Sequence, residues 1–275
     1  MGTFTTSDGT TLAYHSAGGS NPLVCLPGGP MQNASYLGDL GGLPDTLVLD
    51  LRGTGASQEA DPRTYRADRQ VDDVEALRQH LGLDRISVLG HSAGGTLAVL
   101  YAQRYPQHVE HLVLVAPSPR VVGIDVTDAD RRAVAEQRRG EPWFAEAFAA
   151  FEDIWAGNAT EENFARIAPF SYGRWDDEAR ALDEHPRNDE GARQFYAEGA
   201  LDPEQTRKAL ATLDAPTLLL AGEYDVALPP DRAREYAALF RDAELVVQPG
   251  AGHFPFVDDR VAFTAAVTGM LQRIP

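Results

Sequence analysis

The sequence has little of several residue types, and each shortage excludes a class of protein. Cys25 is the one cysteine among 275 residues, which excludes an intramolecular disulfide and a thiolate metal cluster. Lys208 is the one lysine, so arginine supplies nearly all of the positive charge. No apolar run approaches the length of about 18 residues that a membrane span requires. The N-terminus has neither a basic segment nor an apolar one, so no secretory signal is evident.

The charge balance narrows the range of partners. The formal net charge is −17 at pH 7. Because nucleic acids and anionic membranes are polyanions, we expect neither as a partner. No group of His, Cys, Asp and Glu has metal-ligand spacing, and no glycine-rich segment completes a nucleotide-binding motif. We therefore expect no metal and no cofactor. Since neither a secretory signal nor a membrane span is evident, we also expect a soluble cytoplasmic protein. We expect it to be a monomer or a small homo-oligomer.

The hydrophobic pattern alternates between strand and helix. Two alternating segments around a turn predict an opening hairpin, and short apolar runs predict further strands. The predicted strands are Thr3–Thr6, Thr11–Ser16, Pro22–Leu26, Thr46–Leu51, Ile86–Leu89, His111–Ala116, Thr217–Ala221 and Glu244–Gln248; the predicted helices are Asp68–Leu81, Thr96–Tyr105 and Arg260–Leu271. This order is typical of an α/β fold with a mostly parallel central sheet and helices on both faces.

One long segment breaks the alternation. Between residues 128 and 211 the sequence has only helical periodicity, and about 10 of the 17 excess negative charges lie between residues 118 and 205. The segment leaves and rejoins the sheet at the carboxyl ends of strands, where ligands bind in doubly wound folds. We therefore predict a core domain of residues 1–117 and 212–275, and a helical cap domain of residues 118–211.

The segment Gly90-His91-Ser92-Ala93-Gly94 stands between a predicted strand and a predicted helix. A Gly-x-Ser-x-Gly sequence in that position is typical of a sharp turn that exposes a serine hydroxyl as a nucleophile. Glycine is needed two residues to either side because a side chain there would collide with the neighbouring strand and helix. The turn also places the Ala93 amide at a helix N-terminus, where it can donate to an oxyanion. His91 is interpreted as structural.

A serine nucleophile needs a base, and that base needs an orienting acid. Asp225 directly follows a predicted strand and is the candidate acid. Its alternative role is to cap the following helix, a task that Asp231 also suits. His253 lies in the glycine-flanked loop after the last strand and is the candidate base. The alternative is a surface loop histidine.

The second oxyanion donor is expected from the loop after the third strand, Pro27-Gly28-Gly29-Pro30. Two glycines let the backbone pass close to a reacting carbon, so Gly28 is a candidate substrate contact and the Gly29 amide a candidate donor beside Ala93. An ordinary Pro-Gly turn is the alternative.

These motifs together resemble the α/β-hydrolase superfamily over essentially the whole chain, and within it the proline iminopeptidases. The closer resemblance comes from Pro27–Pro30, from Asp50–Ser57 and from the helical cap. It implies a serine hydrolase that removes an N-terminal residue from a small peptide or aminoacyl amide. It also implies cap carboxylates that hold the substrate ammonium. Glu146, Glu152 and Glu198 lie near aromatic residues and are candidate anchors; solvated helix faces are the alternative for each.

Other functions stay open at this stage. Where the family has His-Gly-Gly-Pro-Gly, this chain has Pro27 and Met31 in place of the first and last residues. An esterase, lactonase or thioesterase acting on a small metabolite fits the same motifs. So does a non-hydrolytic lyase or a binding protein with the same fold.

Overall fold

The computed structural model describes residues 1–183 and 186–273. Its central feature is one eight-stranded sheet. The strands are β1 (Gly2–Thr5), β2 (Thr11–Ser16), β3 (Leu23–Leu26), β4 (Thr46–Leu49), β5 (Ile86–His91), β6 (Val109–Val115), β7 (Thr217–Gly222) and β8 (Ala243–Gln248). Their spatial order is β1-β2-β4-β3-β5-β6-β7-β8. Among the described strands, β1 and β2 pair antiparallel, as do β2 and β4, and the other five pairs are parallel, so the sheet is mostly parallel, as predicted.

The α-helices fall before, within and after one long insertion. They are α1 (Ala67–His80), α2 (Ala93–Arg104), α3 (Asp128–Ala135), α4 (Phe144–Trp155), α5 (Glu161–Arg166), α6 (Asp177–Asp183), α7 (Asp189–Phe195), α8 (Pro203–Leu210), α9 (Pro230–Ala237), α10 (Pro255–Asp258) and α11 (Arg260–Leu271). Helices α3 to α8 all lie between β6 and β7 in the chain. No helix in the described part has both the length and the hydropathy needed to cross a membrane.

Both faces of the sheet are covered, and successive residues of β6 show how. Leu112 and Leu114 join one hydrophobic cluster, which includes residues of α1 and α2. Val113 and Val115 join the cluster on the other face, which includes residues of α11. Because successive side chains of a strand point to opposite faces, a strand covered on both sides is apolar throughout. Cys25 is buried in the second cluster, and burial raises the pKa of its thiol, consistent with a small core residue.

The helical insertion does not pack as one separate unit. A third hydrophobic cluster, formed by Ala135, Phe144, Ala147, Phe151 and Phe170, lies wholly within it. Phe195 of α7 and Leu210 of α8 instead join the cluster that covers the main sheet. Hydrophobic contacts therefore cross the boundary that the sequence suggests, and a cap domain of residues 118–211 stays a prediction. Within the described residues of this segment, the β-pairing is limited to an isolated bridge between Gln32 and Arg187.

Candidate active site

Ser92 stands at the sharp turn between β5 and α2. Its backbone has φ +53° and ψ −117°, a conformation that costs free energy for any residue with a side chain. Helix α2 begins directly afterwards at Ala93, three residues earlier than the predicted start at Thr96. The N–H groups of the first helical turn lack intrahelical acceptors. The turn therefore places Ala93 N–H, which has no intrahelical acceptor, directly after half-buried Ser92.

Close packing around Gly90 and Gly94 explains why glycine is needed on both sides of Ser92. A Cβ atom on Gly90 would overlap the Gly94 carbonyl of α2. A Cβ atom on Gly94 would overlap the Leu26 carbonyl at the end of β3. Both collisions are with backbone atoms, which do not move aside as a flexible side chain does. A side chain at Gly90 or Gly94 would therefore clash with the backbone, as the Gly-x-Ser-x-Gly motif predicts.

His253 and Asp225 meet beside this turn. His253 Nδ1 lies 2.8 Å from Asp225 Oδ2. Asp225 is fully buried, and its other oxygen accepts the N–H groups of Ala227 at 2.7 Å and Leu228 at 3.1 Å. The carboxylate therefore fixes its own loop and the imidazole together. Asp231 does not cap α9, because Pro229 occupies the N-cap position and Asp231 is ion-paired with Arg234.

The pKa values of the pair move in opposite directions. Burial alone would raise the pKa of Asp225, but the His253 charge and the hydrogen bonds to Asp225 lower it below its usual range. Burial alone would lower the pKa of His253, but the Asp225 charge and hydrogen bond raise it above its usual range. Each group thus stabilises the ionised form of the other. When His253 is neutral, Nδ1–H donates to Asp225 and Nε2 is left to accept a proton.

The backbone of the His253 loop is held by the helical insertion. His253 N–H donates to the Ser171 carbonyl at 2.7 Å. Gly252 N–H donates to the half-buried carboxylate of Asp258 at 2.8 Å. Arg138 then anchors the segment around Ser171 by donating to the Tyr172 and Gly173 carbonyls, each at 2.9 Å. The position of the imidazole therefore depends on contacts from outside its own loop.

His91 connects the His253 loop to the loop after β3. Its Nε2 lies 2.8 Å from the His253 carbonyl, so it must be the donor there. Burial, with His253 nearby, lowers the pKa of His91 to about 3, so the ring is neutral at pH 7. Nδ1 then accepts from the Tyr36 hydroxyl at 2.7 Å, and that hydroxyl accepts Gly28 N–H at 2.7 Å. One buried chain of hydrogen bonds thus joins both loops.

The loop after β3 passes directly against the Ser92 turn. A Cβ atom on Gly28 would lie 2.7 Å from the His91 carbonyl and 2.8 Å from Ser92 Cβ. Since Gly28 N–H is used by Tyr36, Gly28 has no free amide for a substrate. Gly29 is exposed at φ +116°, and its N–H has no acceptor within the described residues. Of the two glycines, Gly29 is therefore the one whose backbone N–H is free to donate a hydrogen bond to a substrate.

Ser92 and His253 line the same cavity, which has a volume of about 650 Å³. One wall is apolar and comes from the helical insertion and the Asp225 loop: Ile124, Val126, Phe151, Ile154, Trp155, Phe164, Ile167 and Val226. Charged side chains of Arg120, Asp125, Asp128 and Arg131 also line it. A second cavity of about 570 Å³ shares Ser92, Ser118 and Arg120 with the first and is lined mainly by polar residues. Ser92 therefore lies where a cavity with a large apolar wall meets a mainly polar one.

The three glutamates predicted to hold a substrate ammonium lie outside both cavities. Glu146 is exposed and faces Arg166, Glu152 is exposed and paired with Arg132, and Glu198 is exposed as well. None of the three lines either cavity. A role as substrate anchor therefore stays a prediction for each of them: the buried stripe of α4 leaves Glu146 and Glu152 facing solvent, and Glu198 lies in the segment between α7 and α8. The described residues contain no group of three or more His, Cys, Asp and Glu that could hold a metal ion.

The sequence analysis missed Tyr36, Asp258 and Arg131 as residues of this site. Tyr36 reaches His91 across 55 positions of the chain, and no local pattern predicts such a contact. Arg131 carried a weak signal, since it is a basic residue in the acidic insertion predicted to cover the site.

The sequence and the fold were compared with known proteins and protein families, and the matches agree with the α/β fold described above. A family model described as the alpha/beta hydrolase fold matches residues 21–260. The chain belongs to the α/β-hydrolase family. As predicted, proline iminopeptidases are among its relatives: one from Heyndrickxia coagulans is 24% identical over 95% of this chain and 94% of that protein. Another, from Pestalotiopsis fici, is 27% identical over 98% of this chain and 99% of that protein.

Solved α/β-hydrolase structures include close matches in fold. An esterase from Exiguobacterium antarcticum superposes with a TM-score of 0.74 at 20% sequence identity, covering 99% of this chain and 100% of that one. At this identity the match shows the α/β-hydrolase fold alone. The similar proteins thus include both peptidases and an esterase, and their names do not choose between the two activities.

Proposed function

We propose that the protein is a serine hydrolase of small carboxylic esters, with Ser92 as nucleophile, His253 as base and Asp225 as orienting acid. The observation that supports this most is the 2.8 Å contact between His253 Nδ1 and buried Asp225, on the cavity that Ser92 also lines. Neutral His253 takes the Ser92 proton on Nε2 as the serine oxygen attacks the substrate carbonyl carbon. His253 then protonates the departing alcohol, which leaves an acyl group on Ser92.

Water completes the cycle. His253 removes a proton from a water molecule, the hydroxide attacks the acyl carbon, and Ser92 recovers its proton as the acid departs. The N–H groups of Ala93 and Gly29 stabilise the oxyanion in both steps. Loss of one such donor raises the barrier by about 3 to 4 kcal/mol in comparable sites. No step calls for a group beyond the chain, the substrate and water.

The cavity supports an ester over a peptide substrate. Its large apolar wall suits an acyl or alkyl group, whose burial is favourable by about 25 cal/mol per Å². An aminopeptidase is the second candidate, because the exposed carboxylates of Asp125 and Asp128 line the same cavity and are able to face an ammonium group. The proline iminopeptidase relatives agree with this second candidate.

The first test is the substitution Ser92→Ala. We expect it to lower hydrolysis of short para-nitrophenyl esters by about 10⁴-fold or more, because the nucleophile is lost. The free energy of unfolding should change by less than about 1 kcal/mol, because Ser92 is only half-buried and its hydroxyl contributes little to packing. Exposed Ser20 provides the matched control, and Ser20→Ala should hydrolyse the esters at the wild-type rate.

Substrate choice separates the two candidates. The wild-type protein is assayed with short acyl esters and with prolyl and alanyl para-nitroanilides. Fast ester cleavage with inert anilides supports the esterase, and the reverse supports the aminopeptidase. Ester hydrolysis by Ser92→Ala at a substantial fraction of the wild-type rate would refute the serine mechanism itself.

A further inference from the structure

Arg131 is a charged group of the Ser92 cavity that the proposed mechanism leaves unused. It lies in α3, and its side chain lines the cavity together with Ser92 and His253. Its Nη1 donates to the Val226 carbonyl at 3.3 Å. Val226 directly follows Asp225 in sequence, so the guanidinium is held beside the loop of the orienting acid.

The guanidinium of Arg131 has few partners in the protein. Within the described residues, no carboxylate oxygen lies within ion-pair distance of it, whereas Arg132, Arg138 and Arg139 are each ion-paired. The bond to Val226 uses one of its five N–H donors and is long. Most N–H donors of this cavity-lining guanidinium therefore have no partner within the described residues.

Burial makes this arrangement costly without a ligand. Burial lowers the pKa of Arg131, while the nearby charges of Asp128, Asp125 and Asp225 oppose that change. Asp125 and Asp128 line the same cavity, but both are exposed, so water and salt weaken their attraction for Arg131. A half-buried cation without a contacting anion is stabilised by a ligand that supplies one, and a planar guanidinium matches a carboxylate with two parallel hydrogen bonds.

We infer that Arg131 binds a carboxylate on the acyl part of the substrate, so that the preferred substrates are monoesters of dicarboxylic acids. The apolar wall formed by residues such as Phe151, Ile154 and Trp155 then holds the methylene chain between the two ends. Ser92 attacks the ester carbonyl at one end, and Arg131 holds the free carboxylate at the other. This inference rests on the proposed ester hydrolysis and adds the class of acyl group.

The kinetic test compares two esters of equal chain length, mono-para-nitrophenyl adipate and para-nitrophenyl hexanoate, after subtraction of spontaneous hydrolysis. We expect the wild-type protein to have the higher kcat/KM for the adipate ester. In Arg131→Gln the ratio of the two kcat/KM values should fall by about tenfold or more, because the carboxylate loses its partner. Arg139→Gln is the matched control: Arg139 is exposed, paired with Glu136 and absent from the cavity lining, so its ratio should stay at the wild-type value.

A binding measurement keeps this inference separate from the proposed function. Adipate itself is titrated into wild-type protein, Arg131→Gln and Arg139→Gln by calorimetry. We expect the Kd to rise about tenfold or more in Arg131→Gln only. If neither ester is hydrolysed, the proposed function fails, while the adipate titration still decides the role of Arg131. Equal ester ratios and equal adipate Kd values in wild type and Arg131→Gln would overturn the inference.

Discussion

At the scale of single residues, the pKa of His253 determines, in the proposed mechanism, when Ser92 has a base. The Asp225 charge raises that pKa above the ordinary histidine value of about 6.5. A base must be unprotonated, so activity is expected to fall as the pH drops through the raised pKa and to be constant above it. The acid limb of the pH profile should therefore lie above that of an isolated imidazole.

Asp225→Asn tests this electrostatic coupling. Without the carboxylate charge the pKa of His253 falls, so the acid limb of kcat/KM should move to lower pH. The plateau should drop by about 10⁴-fold, because an asparagine amide favours the wrong imidazole tautomer. Asp231→Asn changes an exposed acid in the same region and should leave the profile as it is. An unshifted limb in Asp225→Asn would contradict the coupling.

The hydrogen-bond chain through Tyr36 and His91 gives a second test at this scale. Tyr36→Phe leaves Gly28 N–H and His91 Nδ1 without their buried partner, at a cost of about 1 to 3 kcal/mol for each group. We expect the free energy of unfolding to fall, and kcat to fall more than KM changes, because both loops beside Ser92 lose a positional constraint. Denaturant titration and ester kinetics measure the two effects.

Tyr105→Phe removes a hydroxyl that bonds exposed Asp72 at 3.3 Å and serves as the control. It should alter neither stability nor kcat by a measurable amount. A Tyr36→Phe protein with wild-type kcat would show that the chain has no part in positioning the site.

At the scale of elements, the insertion holds the His253 loop through one buried arginine. Arg138 lies between the rings of Trp143 and Tyr224, at 5.0 and 4.8 Å from their centroids. It bonds the carbonyls of Tyr172 and Gly173, next to the Ser171 carbonyl that accepts His253 N–H. The insertion thus stabilises the His253 loop directly, in addition to lining the cavity.

Arg138→Met should therefore destabilise the protein strongly. Its loss leaves two carbonyls and Glu141 without a buried charged partner, so we expect the free energy of unfolding to fall by about 3 kcal/mol or more. Arg139→Met removes an exposed arginine one residue away and should cost about 0.5 kcal/mol or less. Denaturant titration of the two variants measures the difference, and equal losses would contradict the role of Arg138.

The elements themselves were largely predictable, for a physical reason. Strands buried on both faces need continuous apolar runs, and such runs are visible without a structure. The start of α2 was predictable in part: the Gly-x-Ser-x-Gly motif placed Ala93 at a helix N-terminus, but the predicted helix began at Thr96, because Gly94 and Gly95 are poor helix formers. The outward direction of Glu146 and Glu152 was predictable, since Phe144, Ala147 and Phe151 mark the buried stripe of α4.

At the scale of the whole molecule, the fold brings together three residues from distant parts of the chain. The α/β-hydrolase topology ends β5, β7 and β8 at one edge of the sheet, where Ser92, Asp225 and His253 follow them. That edge was predictable from the order of elements. The contacts of Tyr36, Asp258 and Arg131 were not, because they depend on how loops and insertion pack. A cytoplasmic location and a monomer or small homo-oligomer stay predictions.

Labelling by a fluorophosphonate probe tests the central claim most directly, because the probe reacts with an activated serine whatever the natural substrate is. We expect one probe per chain, mapped by peptide mass spectrometry to Ser92, with no labelling of Ser92→Ala and strongly slowed labelling of His253→Ala. A folded wild-type protein that the probe leaves unmodified, or modifies at another serine, would contradict the account.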